Sequence, residues 1–239
     1  GEDVIIVGAG GLDHDRLVEL SATHFASPAG TSRPLSELPP AFTPTVRHVV
    51  RDDLQQMYIS LGTRAVPYQH EDREPLIVLN TLLGGGMSSR LFQNIREKQA
   101  LAYTVYSELT MYRDAGCMMV YAGCSPRSSG KVIDSITHEM REIAEHLVTP
   151  EELRRAKDHL KGSFMLGLES TSSRMGNLAR QELYFKRFFS LDEMLESIEK
   201  VTAGEVRKLA AEFFDPRHTA VAMLGRLEGF RVRRRDLMG

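Results

Sequence analysis

Hydrophobic and polar positions alternate along this chain in two distinct periods. From Val46 to Gly62 the pattern is strand-like, with Met57, Ile59 and Leu61 alternating against Tyr58 and Ser60. Ala102–Thr110 and Gly116–Cys124 predict two more strands, joined by a turn through Tyr112 to Gly116, and His218–Gly225 predicts a last one. Elsewhere the spacing lengthens. Pro75–Leu83 predicts a helix closed by Gly84, Gly85 and Gly86, and Ser89–Lys98 a second, short one. Val132, Ile133, Ile136, Met140, Ile143 and Leu147 form an apolar stripe at helical spacing.

Thr149-Pro-Glu-Glu152, Ser190-Leu-Asp-Glu193 and Thr202-Ala-Gly-Glu205 carry one signature of a helix start. The hydroxyl accepts from the third helical N–H while the glutamate reaches back to the cap's own N–H. Pro150, at the first helical position, strengthens the first of them. The element order, β, α, α, β, β, several α, β, predicts an α+β fold, a mainly antiparallel sheet with helices packed on one face.

Near the start, Asp3–Gly10 is an apolar, β-branched run ending in glycines, followed by helical spacing from Leu12 to Phe25, so a strand, a turn and a helix are expected. Gly8, Gly10 and Gly11 lack the spacing of a dinucleotide fingerprint and read as a structural turn. The proline-rich stretch 26–45 reads as a linker. Val4–Leu12 and Ala220–Leu227 are both short apolar runs ending in glycine and then leucine, which suggests that the chain opens inside a repeat. The organisation expected is therefore 1–25 as the tail of a preceding unit, 26–45 as linker, 46–229 as the main domain and 230–239 as a basic tail.

Composition narrows the function classes. Of 239 residues, 42% are apolar and 26% charged, ordinary globular values. Thirty basic residues against 32 acidic ones leave a net charge of −2, no field to gather nucleic acid or anionic lipid. No run approaches the ~18 apolar residues of a membrane span. Neither a nucleic-acid nor a membrane partner is expected. Cys117 and Cys124 fall on opposite faces of one strand, roughly 23 Å apart at ~3.3 Å per residue, beyond disulfide reach. Unpaired thiols point to a reducing, cytoplasmic setting.

The chemistry-bearing motifs are few. Eight histidines are present, yet neither His-Glu-x-x-His nor His-x-x-Glu-His occurs. His138, Glu142 and His146 follow one another on one helix face, opposite the apolar stripe, and read as a solvated surface. No Gly-x-Ser-x-Gly elbow exists, and the basic run at Arg231–Arg235 reads as a solvated end. The informative stretch runs from Gly84 to Val105. Its glycines offer a hinge, and Ser88 or Ser89 can cap the next helix. Arg96 comes near that helix's end and Tyr103 opens the following strand. Chain reversal between them can bring guanidinium and phenol to one sheet edge, two kinds of donor for a carbonyl oxygen or a developing oxyanion. A surface arginine beside an ordinary strand tyrosine would give the same spacing.

This stretch resembles the second-half signature of the zinc peptidase family that includes pitrilysin, insulin-degrading enzyme and mitochondrial processing peptidase, in particular its bacterial processing-protease branch. Tyr121–Cys124, Thr149–Lys157 with Leu160–Ser163, and Glu169–Arg174 extend the likeness over about 46–227. In that family two homologous units face each other. The first holds zinc through His-x-x-Glu-His and a downstream glutamate, and the second supplies an arginine and a tyrosine seven residues apart, matched here by Arg96 and Tyr103. The resemblance implies the C-terminal half of a zinc metalloendopeptidase. No metal belongs to this chain, zinc belongs to the intact parent, and the glycines Gly84, Gly85 and Gly86 serve substrate binding or a hinge. The implied partners are an N-terminal zinc-binding unit or a catalytic subunit, a peptide substrate, and a second copy in a dimer. Alone, the chain is expected to be inactive. A non-catalytic scaffold or partner subunit of the same fold is the alternative.

Overall fold

Period-two burial builds a five-stranded sheet in the order β1-β5-β2-β4-β3, formed by β1 (Val46–Val50), β2 (Met57–Ala65), β3 (Ala102–Met111), β4 (Gly116–Cys124) and β5 (Ala220–Gly225). The structure is a computed structural model that describes residues 4–25 and 38–237, the side chain of Arg235 apart. β5 runs parallel to β1; the pairs β2–β5, β2–β4 and β3–β4 are antiparallel. Met57, Ile59 and Leu61 of β2, Met118, Val120 and Ala122 of β4, and Val221 and Met223 of β5 are all buried.

Three helices cover that face. α2 (Arg73–Leu83) lies against β3, α3 (Ser129–Glu145) against β4 and α7 (Ala203–Phe213) against β2. They contribute Leu76, Leu79, Ile133, Ile136, Val206 and Leu209, none more than 1% exposed. Each such side chain contributes roughly 1.5–3 kcal/mol by leaving water, as an upper bound. The helix-free face carries Tyr58, Tyr121 and Tyr106 side by side, with ring centroids 6.3 and 5.2 Å apart. Burial and the flanking phenols push the Tyr121 pKa up.

The sheet belongs to a unit of Pro40–Leu160 with Ser197–Gly239; Gly1–Pro39 groups instead with Lys161–Glu196. The latter unit contains α1 (His14–His24), the C-terminal part of α4 (Pro150–Gly167), α5 (Thr171–Phe185) and most of α6 (Leu191–Lys200). Asp13 caps α1 by accepting from the Arg16 amide at 2.7 Å. Lys186 ends α5 in the left-handed region, and Gln181 accepts from the Phe189 amide at 2.7 Å to fix the turn that follows.

Several expectations need correction. Val46–Gly62 is two strands, because Arg51, Asp52 and Asp53 interrupt the alternation; Arg51 grips Asp53 through two hydrogen bonds of 2.8 and 2.7 Å. Residues 4–9 form no strand, since no described residue offers them a ladder, and Val4 and Ile6 stay exposed. Most of the proline-rich linker, 26–37, lies outside the described residues. Leu147 falls beyond the end of α3 and is exposed. Ser190 and Thr202 form complete reciprocal caps with Glu193 and Glu205, whereas Thr149 forms half of one. There Glu152 turns away to Arg90. The basic run is not a free end either. Val232 and Leu237 are buried, and the Arg234 guanidinium donates to the carbonyls of Pro216 and Arg217 at 3.0 and 2.9 Å.

Candidate functional site

The site grows from the place where α2 stops. Gly84 closes α2 by donating its amide to the Asn80 carbonyl at 3.0 Å, and its own carbonyl accepts from the Ser107 amide of β3 at 3.1 Å. The Ser107 hydroxyl donates to the same Asn80 carbonyl at 3.0 Å. A Cβ on Gly84 would sit 2.3 Å from the Ser107 nitrogen, and one on Gly85 would sit 2.7 Å from the Thr81 Cα. Backbone proximity is what excludes a side chain at these two positions, for neither has a positive φ. Ser89 does not cap the next helix with its hydroxyl, which is buried without a partner among the described residues. Its carbonyl accepts from the Gln93 amide at 3.0 Å instead.

The segment expected as an ordinary short helix is a π-helix over Phe92–Lys98. Wider turns of this kind recur at functional sites. Ile95 anchors it in the core, and Asn94 donates to the buried carboxylate of Glu139 at 2.6 Å. Ala100, at φ 51, then reverses the chain into β3. The ladder to β4 slips between Ala102 and Thr104, which leaves Tyr103 as the extra residue of a β-bulge. A bulge re-aims its side chain and bends its strand. Here it puts Ala102 and Val105, an odd separation, on the same buried face, and leaves Tyr103 76% exposed.

The expected pair does meet. The Arg96 guanidinium lies 5.5 Å from the centroid of the Tyr103 ring and 4.7 Å from that of Phe92, within cation–π range. Glu97 is a loose ionic neighbour of Arg96 at 3.7 Å. Arg96, Tyr103, Gly84, Gly85 and Gly86 all line one open groove of about 470 Å³ along the β3 edge, together with Phe92 and Tyr106. Sequence reasoning missed Phe92, although a spacing of four from Arg96 on one helix signals contact. The groove offers guanidinium N–H groups and one phenol O–H, all donors, to an acceptor of partial or full negative charge.

A metal does not fit this chain. Among the described residues no group of three or more His, Cys, Asp or Glu side chains could hold an ion. His138 is exposed, and His146 approaches Glu142 only at 3.9 Å. Among the described residues, too, no helix is long and apolar enough to cross a membrane.

Solved structures define the class of the fold. A protease from Helicobacter pylori superposes with a TM-score of 0.80 at 22% identity, over 90% of this chain and 54% of that one. A peptidase M16 inactive domain from Pseudomonas fluorescens gives the same score and identity over 91% of this chain and 52% of its own. The family profile described as the peptidase M16 inactive domain matches residues 1–160, and the chain belongs to that family. An uncharacterised zinc protease of Mycobacterium tuberculosis is 39% identical over 94% of this chain and 52% of its own length. The β subunit of the mitochondrial-processing peptidase of Bos taurus is 29% identical over 95% and 48%. The chain thus spans about half the length of the curated relatives it matches.

Proposed function

We propose that this chain is the non-zinc-binding half of a zinc-dependent metalloendopeptidase, and that it holds peptide substrate and steadies the scissile carbonyl. The observation that carries this reading is the convergence of Arg96 and Tyr103, from a π-helix and a bulged strand, on one groove. Zinc and its water would belong to an N-terminal unit or a separate catalytic subunit, because the ligand chemistry is missing from the described residues here. Bound metal of that kind supplies an activated nucleophile near neutral pH. The part of this chain is electrostatic. The guanidinium and the phenol donate to the carbonyl oxygen as negative charge builds on it, and cost no reorganisation at that moment.

Three bonded donors in a fixed fork and one phenol favour a backbone carbonyl over any particular side chain, which supports broad peptide acceptance. The scaffold alternative needs no such convergence. In keeping with the reducing setting read from the thiols, the protein would work in the cytoplasm, on short or unfolded peptides. The test is kinetic. In the full-length protein, or with the zinc-binding unit added in trans, Arg96→Ala or Tyr103→Phe should lower kcat/KM by about 10²-fold. Unchanged kcat/KM in both variants would leave the scaffold reading in possession. This chain by itself should cleave no peptide, with or without added zinc.

A further inference from the structure

We infer that the groove holds peptide through the open backbone of β3 at Val105, so that an extended segment adds as a short strand to the sheet edge. The inference rests on the peptide-binding reading above and specifies how the peptide is held. β3 is the edge strand of the sheet. In an antiparallel ladder a residue's N–H and C=O point to the same side, and successive residues alternate. The Tyr112 amide donates across the hairpin to Ala115 at 2.7 Å, so even-numbered positions from Thr104 onward face β4. The Ser107 amide donates away from β4, to Gly84. Val105 shares the side of Ser107, and its N–H and C=O therefore point outward.

The Val105 side chain is buried at 5% exposure, yet the residue lines the groove. Its backbone is what the groove meets. An exposed strand edge of this kind is a template for another chain. The length of the site is bounded at both ends. At one end Gly84 already occupies Ser107, and its carbonyl stops any added strand. At the other end the bulge at Tyr103 breaks the ladder. One pairing position remains between them.

That position also sets register. Two residues along a strand span about 7 Å. A peptide residue paired with Val105 therefore presents its neighbour's carbonyl level with Tyr103, where the ladder has ended and the Arg96 and Tyr103 donors begin. Backbone pairing would thus deliver a carbonyl to those donors whatever the peptide's side chains are.

Hydrogen exchange of this chain with a short, unstructured peptide of alternating Thr and Ala tests the idea directly. On saturation the Val105 amide should slow by about tenfold or more, while the Ser107 amide, already bonded, should not change. N-methylation of single peptide residues should weaken binding by about tenfold at alternate positions only. Protection that spares Val105, or an N-methyl series without alternation, would overturn the pairing. Repeating the exchange with Arg96→Ala separates the two readings. Val105 protection that persists while Arg96→Ala leaves turnover of the full-length protein unchanged supports the pairing and removes only the carbonyl role. Loss of turnover with an unprotected Val105 removes only the pairing.

Discussion

The guanidinium of Arg90 and the carboxylate of Glu152 meet through two hydrogen bonds, 2.6 and 3.0 Å long, with both side chains about one-fifth exposed. This pair ties the start of the helix after the glycine turn to the first turn of α4. Paired with Glu152, the Arg90 guanidinium is held above its ordinary pKa. The same pairing explains the half-formed cap at Thr149, since Glu152 cannot serve Arg90 and the cap's N–H together.

Removing one partner leaves the other charge stranded. Arg90→Ala should therefore destabilise the chain by about 2–3 kcal/mol, somewhat less than a fully buried pair would. Arg90→Lys should recover only part, because an ammonium cannot reproduce the two-pronged contact. Urea unfolding followed by circular dichroism would check both; equal stability of Arg90→Ala and wild type would contradict the assignment.

Close packing of the glycine turn on β3 leads to a second expectation. Gly84→Ala places a methyl group 2.3 Å from the Ser107 nitrogen, so the backbone must shift. Overpacking of this kind costs about 1–3 kcal/mol, and should appear as a lower melting temperature. Faster exchange of the Ser107 amide in the same variant would locate the damage.

The two thiols should differ sharply in reactivity. Cys117 is exposed on the helix-free face, whereas Cys124 is buried and its pKa is pushed up to about 11. Only the thiolate is nucleophilic, so a thiol reagent at neutral pH should modify Cys117 alone in the folded chain and both in denaturant. Mass spectrometry of peptides after brief alkylation reads the ratio.

Acid stability should depend on Asp215. The Arg217 guanidinium and amide hold its carboxyl at about 2, against an ordinary value of 3.8. A lowered folded-state pKa contributes stability that is fully present above about pH 4 and is lost as pH falls toward 2. Asp215→Asn should then be less stable than wild type at neutral pH, with the gap closing below pH 4. A gap independent of pH would show that the carboxylate's charge plays no part.

Much of the architecture was legible from periodicity, because burial on one sheet face leaves an alternation that survives in Met57, Ile59 and Leu61. The π-helix and the bulge were not legible. Neither has a period of its own; each arises when a tertiary contact, Asn94 on Glu139 or Tyr103 beside Arg96, outweighs regular hydrogen bonding. The Arg96 and Tyr103 pairing could be anticipated from their spacing across a reversal, but the role of Gly84 could not. Its constraint comes from Ser107, twenty-three residues away, through space. Val4–Gly10 misled for the opposite reason: a β-branched run states a preference for extended backbone, not the presence of a neighbour.

β5 sits between β1 and β2, although it is the last strand in the chain. As a ribosome delivers the polypeptide, β1 has no companion within the sheet until Val221 arrives to lie beside Val46. Assembly of the layer must wait for its innermost member to be threaded in late, across a long loop closure. Until then the flanks of β1 and β2 stand open, and it is in this interval that a nascent chain would most need shielding from its neighbours.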